Sequence, residues 1–248
     1  LFPKISGILT NLDVAVYTLI TGSPIGIAYW AASKSIGGFV SHSSKINKAL
    51  YPKLLESEEK EYLGKNLEKF FYFSLPLVAI SIVFSKPALF ALNPVYEGAI
   101  LIVIVMVFKG FLSSLINIFQ QYVWGNEKVD IDSNANFKSF LKSSIFKIPT
   151  VKIIDYSGYL ILLVIGLTIL KQNSANELDY VLYWAIISTV IQIPLVVYLG
   201  SQVKKQLRLT IDVKSLLKYV LTGTSVFGIT FIFTEKFLVY SNSILEFL

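Results

Sequence analysis

The chain has 248 residues, of which 54% are hydrophobic and only 15% are charged, with a formal net charge of +6. Charged residues make up about 25% of an ordinary soluble domain, so the composition argues against a soluble enzyme or binding module. With no cysteine, the sequence has no disulfides or thiol nucleophiles, and its single histidine cannot hold zinc alone. We therefore expect an integral membrane protein built of helices.

Seven long apolar stretches follow one another along the chain, at residues 5–22, 25–50, 70–92, 98–124, 153–170, 178–199 and 213–239. A bilayer core of about 30 Å is crossed by about 20 helical residues. The sequence thus predicts about seven transmembrane helices in a single transmembrane domain. Residues 1–200 would form a bundle, and 201–248 would add one or more C-terminal helices.

Basic residues gather in alternate connections, within 45–69, 128–152 and 204–218, whereas the intervening connections contain one cation, Lys171. Such alternation is the positive-inside pattern of multi-pass membrane proteins. It predicts a protein of the cell membrane with its lysine-rich loops in the cytoplasm. The excess positive charge then contacts anionic lipid headgroups rather than nucleic acid.

The first predicted helix carries polar residues at steps of four, three, four and four, which places them on one face: Ser6, Thr10, Asp13, Tyr17 and Thr21. Asp13 lies about halfway along this helix. A charge at that depth costs about 3 kcal/mol or more unless water or a partner stabilises it. Two interpretations stay open: a structural acid paired with a lysine of a neighbouring helix, or a coupling residue in a wet cavity.

The second predicted helix has its own polar stripe, with Lys34 deep in the membrane and His42 beside the stripe. Lys34 either neutralises Asp13 or receives an anionic group such as a diphosphate. The fourth predicted helix repeats the pattern with Lys109 and Gln120. We expect these three stripes to face one watery cavity, while the other helices face lipid and each other.

Other polar residues have simpler interpretations. Ser113 and Asn117 are typical of helix packing and hydrogen bonding in membranes. Asp155 lies three residues after Lys152, which predicts a local ion pair near the cytoplasmic interface. The 130–132 Asp-Ile-Asp motif lacks a nucleotide-binding domain around it, and no glycine-rich phosphate loop or serine elbow is present. We expect no enzymatic activity, metal or cofactor.

Four segments together resemble a known family: Leu-Asp at 12–13, Pro-Ile-Gly-Ile-Ala-Tyr-Trp-Ala-Ala-Ser-Lys-Ser-Ile at 24–36, Ala-Leu-Tyr-Pro-Lys at 49–53 and Gln-Tyr-Val-Trp-Gly-Asn-Glu-Lys at 121–128. They resemble the second half of the polysaccharide and lipid-linked oligosaccharide flippases of the multidrug/oligosaccharidyl-lipid/polysaccharide exporter superfamily. Together with the start at Leu1 rather than Met, the resemblance implies that this is a C-terminal bundle whose N-terminal bundle is missing from the sequence.

The resemblance implies translocation of a lipid-diphosphate-linked oligosaccharide or polysaccharide precursor from the inner to the outer leaflet by alternating access. Lys34 and Lys109 would contact the anion and Asp13 would couple or gate, while Tyr29 and Gln120 would contact sugar. His42 completes the candidate substrate-binding set. Besides the lipid-linked sugar and membrane lipids, the glycosyltransferases or polymerase of the same pathway are candidate partners.

Two other functions are compatible with the sequence. A drug or organic-cation antiporter of the same superfamily would favour a net acidic cavity, whereas the residues predicted to line this one are net basic. A non-transporting scaffold for a glycosyltransferase would need no lysines on aligned faces at mid-membrane depth. Both rank below the flippase.

Overall fold

The computed structural model describes residues 2–47, 61–125, 127, 129, 136–207 and 213–237. These residues form α-helices and two 3₁₀ segments, without a strand, so the predicted all-α class is confirmed for the described part of the chain. The helices are α1 Phe2–Thr21, α2 Pro24–Gly37, α3 Glu61–Val83, α4 Ser85–Leu92, α5 Ile100–Gly125, α6 Phe137–Lys142, α7 Ser144–Gln172, α8 Glu177–Val190, α9 Gln192–Leu207 and α10 Val213–Phe237; the 3₁₀ segments are Gly38–Asn47 and Pro94–Ala99.

Four segments of the described residues are long and apolar enough to cross a membrane: Gly64–Val83, Pro94–Gly125, Ser144–Gln172 and Glu177–Lys205. Two shorter apolar helical segments, Leu12–Thr21 and Leu217–Phe233, accompany them. The helices therefore have the length and composition of a membrane protein. The predicted count of seven spans is not confirmed, because four reach full length in the described part.

Two of the predicted spans are interrupted, and a proline explains each break. Helix α3 ends at Val83 and helix α8 ends at Val190. Pro87 and Pro194 follow these ends by four residues. Proline has no N–H group, so neither residue can continue the hydrogen-bond ladder to the carbonyl four residues earlier. The chain restarts a helix at Ser85 and at Gln192.

The second predicted stretch also differs from a single helix, since α2 passes into the 3₁₀ segment Gly38–Asn47. Serine hydroxyls in this segment donate to carbonyls three residues earlier, from Ser41 to Gly38 at 2.6 Å and from Ser43 to Val40 at 2.7 Å. Side-chain bonds of this kind compete with the regular helical ladder. A 3₁₀ run of ten residues is unusually long, and packing against α5 and α3 accompanies it.

Helix α5 is the centre of the bundle. It packs against α2, the Gly38–Asn47 segment, α3, α8 and α9, while α1 packs on α7 and α10 packs on α3. The closest approach occurs where Gly37 meets α5. A Cβ on Gly37 would lie 2.6 Å from the Met106 Cβ, and one on Gly110 would lie 2.9 Å from the Gly37 carbonyl oxygen. Glycine at both positions lets the two backbones come this close.

Apolar residues alternate with lysines at 137–147, which predicts one amphipathic interfacial helix, and Pro149 predicts the entry into the next helix. The structure divides this segment. Helix α6 covers Phe137–Lys142, Ser143 is extended with φ −71° and ψ 157°, and α7 begins at Ser144. Phe137 is 77% exposed and Phe140 and Leu141 are also exposed, as an interfacial helix requires. Pro149, predicted to mark the entry into the next helix, lies inside α7. The Asp-Ile-Asp motif at 130–132 lies outside the described residues.

Candidate functional site

A cavity of about 290 Å³ lies between α1, α2, α5, α7, α8 and α9. Three of the six predicted site residues, Asp13, Lys34 and Lys109, line it together. The further polar lining residues are Ser113, Asn117, Lys152, Asp155, Tyr156, Tyr159, Ser188 and Gln192. Residues from the three polar stripes of the sequence thus meet in one place, although Asp13 and Lys34 lie 96 and 75 positions before Lys109 along the chain.

Hydrogen bonds between helices show the order in which the polar residues follow one another along the cavity. At one end, the Tyr159 hydroxyl on α7 donates to Asp13 Oδ2 on α1 at 3.1 Å. Further along, the Ser113 hydroxyl on α5 donates to Gln192 Oε1 on α9 at 3.0 Å. At the other end, Lys152 Nζ on α7 donates to Gln120 Oε1 on α5. The cavity therefore extends along the helix axes, with Lys109 near the Asp13 end.

Asp13 is buried, with 7% of its surface exposed, and its carboxylate is held by neutral donors. Oδ2 accepts from the Tyr159 hydroxyl at 3.1 Å and from Trp184 Nε1 at 3.3 Å, and the same indole N–H lies 2.7 Å from the Tyr159 oxygen. Oδ1 accepts from the backbone N–H of Val14 at 2.7 Å. This network joins α1, α7 and α8 around one buried acid, which satisfies most of its hydrogen-bonding capacity.

Aromatic rings connect the acid to the cations. Trp184 stacks on Tyr17, with ring centroids 4.9 Å apart, and on Trp30, with centroids 3.6 Å apart and an interplanar angle of 4°. The Lys109 ammonium lies over the Trp30 ring, 5.0 Å from its centroid, which is cation–π geometry. Trp30 thereby fixes where Lys109 presents its charge to the cavity.

The charges of the cavity are not cancelled by ion pairs. Within the described residues, no carboxylate oxygen lies within 4.0 Å of the ammonium nitrogen of Lys34 or Lys109. Lys34 is exposed to the cavity. The structure thus shows no direct ion pair between Asp13 and a lysine among the described residues, and a coupling role for Asp13 stays a prediction.

The remaining three predicted site residues do not line the cavity. Tyr29 donates its hydroxyl to the Val95 carbonyl at 3.3 Å, beside Tyr96 in the Pro94–Ala99 segment. His42 is exposed and meets the edge of Phe39 with ring centroids 6.2 Å apart. Gln120 lies behind the cavity lining and accepts a hydrogen bond from the cavity residue Lys152.

Sequence reasoning missed three helices of the site, since α8 and α9 also line the cavity with Ser188 and Gln192. The largest missed contribution comes from helix α7. It was expected to face lipid, yet it contributes Lys152, Asp155, Tyr156 and Tyr159 to the cavity. The expected local pair is also wrong: Lys152 donates to Gln120, and Asp155 Oδ2 is buried without a hydrogen-bond partner in the described part of the chain. The positions 152, 155, 156 and 159 follow helical spacing, so the signal used for α1 was present here as well.

The arrangement can bind anions and hydroxyl groups. Three ammonium groups and two carboxylates line the cavity, and Asp13 is already engaged by Tyr159 and Trp184. Among the residues that the structure describes, no cluster of three His, Asp or Glu side chains could hold a metal ion. The chain matches no protein-family model, no curated protein and no solved structure.

Proposed function

We propose that the protein moves the headgroup of a lipid-diphosphate-linked oligosaccharide or polysaccharide precursor from the inner to the outer leaflet by alternating access. The headgroup enters the cavity while its polyprenyl or dolichyl tail stays in the bilayer. The observation that carries this proposal is the presence of Lys34 and Lys109 in one cavity without an ion-pair partner among the described residues.

Electrostatics supports a multiply charged anion as the ligand. Two ammonium groups that line one cavity among apolar helices repel each other, and the half-buried position of Lys109 is unfavourable without counter-charge. Asp13 offers one negative charge, but its oxygens are occupied by the Tyr159 and Trp184 donors. A diphosphate brings the missing charge and accepts hydrogen bonds from ammonium groups on different helices. Its departure restores the repulsion, so binding and release can favour different arrangements of the helices.

The sequence resemblance supports the same conclusion. The cavity contains Asp13 and Lys34 from two of the segments that resemble the flippase family, at 12–13 and 24–36. The lysine-rich connections place the start of α1 in the cytoplasm by the positive-inside pattern. In this topology the Lys152 end of the cavity faces the cytoplasm, where lipid-linked precursors are assembled.

The test is a translocation assay with the purified protein in liposomes. The probe is a polyprenyl diphosphate carrying an N-acetylglucosamine tagged with nitrobenzoxadiazole, whose fluorescence is destroyed by external dithionite. The rate of the second, slow quenching phase measures headgroup translocation. We expect Lys34→Gln and Lys109→Gln each to lower this rate at least tenfold, since one lost charge-assisted contact of about 1.5–3 kcal/mol has that effect.

The matched control is Lys142→Gln, because Lys142 is an exposed lysine at the end of α6, away from the cavity. It should leave the rate unchanged. An unaltered rate in Lys34→Gln and Lys109→Gln would overturn the proposal. If the protein exchanges ethidium for protons and does not translocate the probe, the organic-cation antiporter is the correct function. A protein that moves neither compound is a scaffold.

A further inference from the structure

One part of the cavity has a chemistry that anion binding does not use. Asn117 on α5, Asp155 on α7 and Gln192 on α9 line it together. Asn117 lies eight residues beyond Lys109 on the same helix, which is about 12 Å along the axis. This group, here called the acceptor layer, therefore lies well away from the cation that Trp30 positions.

The acceptor layer has unused hydrogen-bonding capacity. Asp155 and Asn117 make no hydrogen bond or ion pair within the described residues, and Asp155 Oδ2 is buried without a partner. The cation nearest to Asp155 in sequence, Lys152, is directed instead to Gln120. Buried acceptors are nearly always paired in proteins. Asp155 Oδ2 and the exposed side chain of Asn117 are therefore both free to bond a ligand in the cavity.

The chemistry of the layer selects the class of donor. The carboxylate of Asp155 accepts hydrogen bonds from hydroxyl and N–H groups, and the carboxamides of Asn117 and Gln192 both accept and donate, which suits the hydroxyl and acetamido groups of a sugar. Asp155 repels a phosphate oxygen, which makes the acceptor layer unsuitable as a second anion site. Apolar ligands are also disfavoured, because they would leave Asn117 and Asp155 without partners, whereas Gln192 keeps the bond from Ser113.

We infer that the acceptor layer is a sugar-recognition subsite, in which Asn117, Asp155 and Gln192 bind hydroxyl or acetamido groups of the oligosaccharide. This inference rests on the proposed function and deepens it. Lys34 and Lys109 bind the diphosphate that every lipid-linked precursor shares, whereas the acceptor layer binds the sugar and distinguishes one sugar from another. Asp155 and Asn117 are then the specificity-determining residues, and the separation along α5 lets one extended headgroup contact both parts of the cavity.

The test compares two probes that differ in the sugar alone: undecaprenyl diphosphate and undecaprenyl diphosphate N-acetylglucosamine. Their dissociation constants for the purified protein in detergent are measured by tryptophan fluorescence, and the ratio of the two constants gives the sugar selectivity. We expect the unsubstituted protein to prefer the sugar-bearing probe. Asn117→Ala and Asp155→Asn should each lower the selectivity about tenfold, which corresponds to about 1.4 kcal/mol.

The variants separate sugar recognition from anion recognition. Lys34→Gln should weaken the binding of both probes by the same factor and so preserve the selectivity. Gln172→Ala removes an exposed amide at the far end of α7, outside the cavity, and should change neither constant. Asp155→Asn also removes a negative charge, so the affinity for the sugar-free probe should stay the same or increase. Asn117→Ala changes no charge and should leave the affinity for the sugar-free probe unaffected.

Each failure has a distinct meaning. Equal affinity of the unsubstituted protein for both probes, or full selectivity in Asn117→Ala and Asp155→Asn, overturns the acceptor layer while the flippase proposal stands. If Lys34→Gln weakens the binding of neither probe, the proposed anion site is overturned. The sugar-recognition inference, which rests on that site, is then overturned as well. Correct folding of every variant is checked by the elution volume and the thermal unfolding midpoint in the same detergent.

Discussion

The indole rings of Trp30 and Trp184 stack with their centroids 3.6 Å apart and an interplanar angle of 4°. Both rings are buried, with 4% and 0% of their surfaces exposed. Trp184 donates to the Asp13 carboxylate, and Trp30 lies under the Lys109 ammonium. The buried acid and the half-buried cation are therefore positioned by two contacting aromatic side chains from α2 and α8, without a direct ion pair between them.

The first prediction concerns the hydrogen bond that Trp184 donates. Trp184→Phe retains a ring for stacking but removes the N–H, which leaves Asp13 and Tyr159 with one bond fewer. We expect a loss of about 1–3 kcal/mol in the free energy of unfolding, measured by denaturation in detergent.

The control for this variant is Trp124→Phe on α5. The Trp124 Nε1 is buried and has no hydrogen-bond partner in the described part of the chain. Removing this N–H abolishes no bond, so the loss of stability should be clearly smaller than at Trp184. Equal losses would show that ring size, rather than the bond to Asp13, determines the effect.

A second prediction distinguishes two substitutions of Asp13. Asp13→Asn keeps a carbonyl oxygen that can accept from Tyr159 or Trp184, and we expect a loss of about 1 kcal/mol or less. Asp13→Leu leaves the Tyr159 hydroxyl without its acceptor, at about 1–3 kcal/mol, while the Trp184 N–H keeps the Tyr159 oxygen. The order of the two thermal unfolding midpoints checks this expectation. A more stable Asp13→Leu protein would mean that the acid, although bonded, is retained for function at the expense of stability.

A third prediction uses the close contact between α2 and α5. Gly37→Ala and Gly110→Ala each force a methyl group against the other helix, and we expect losses of about 1–3 kcal/mol. Gly158→Ala on α7 is the matched control, because nothing lies within 4 Å of its added Cβ. Alanine is the better helix former by about 1 kcal/mol, so Gly158→Ala should stabilise the protein. Thermal unfolding that gives all three changes the same sign would contradict this packing.

A fourth prediction addresses water in the cavity. The chain has no cysteine, so single cysteines can be introduced without background labelling. Lys34→Cys and Asn117→Cys should react with a charged, membrane-impermeant methanethiosulfonate. Ile161→Cys should not, although Ile161 is 60% exposed, because it lies outside the cavity on the apolar surface of α7. Mass spectrometry of the labelled protein measures the modification. Strong labelling at position 161 with none at 34 and 117 would contradict a wet cavity.

Much of the site could be predicted from local spacing. The stripes that contain Asp13, Lys34 and Lys109 were identified because charged residues are rare in apolar stretches and regular steps place them on one helix face. The same criterion applied to 152–159 would have added α7. It was overlooked because Lys152 and Asp155 also fit a local pair, and sequence spacing cannot distinguish a pair from two residues that turn to different partners.

The sequence by itself determined the apolar helices and the positions of charged residues within apolar stretches, because these depend on neighbours within a few residues. The tertiary structure decided which groups meet. Tyr159 and Trp184 lie 146 and 171 positions from Asp13 in the sequence, yet both donate to its carboxylate. Tyrosine and tryptophan fit apolar packing as readily as hydrogen bonding, so their role became visible once the helices were assembled.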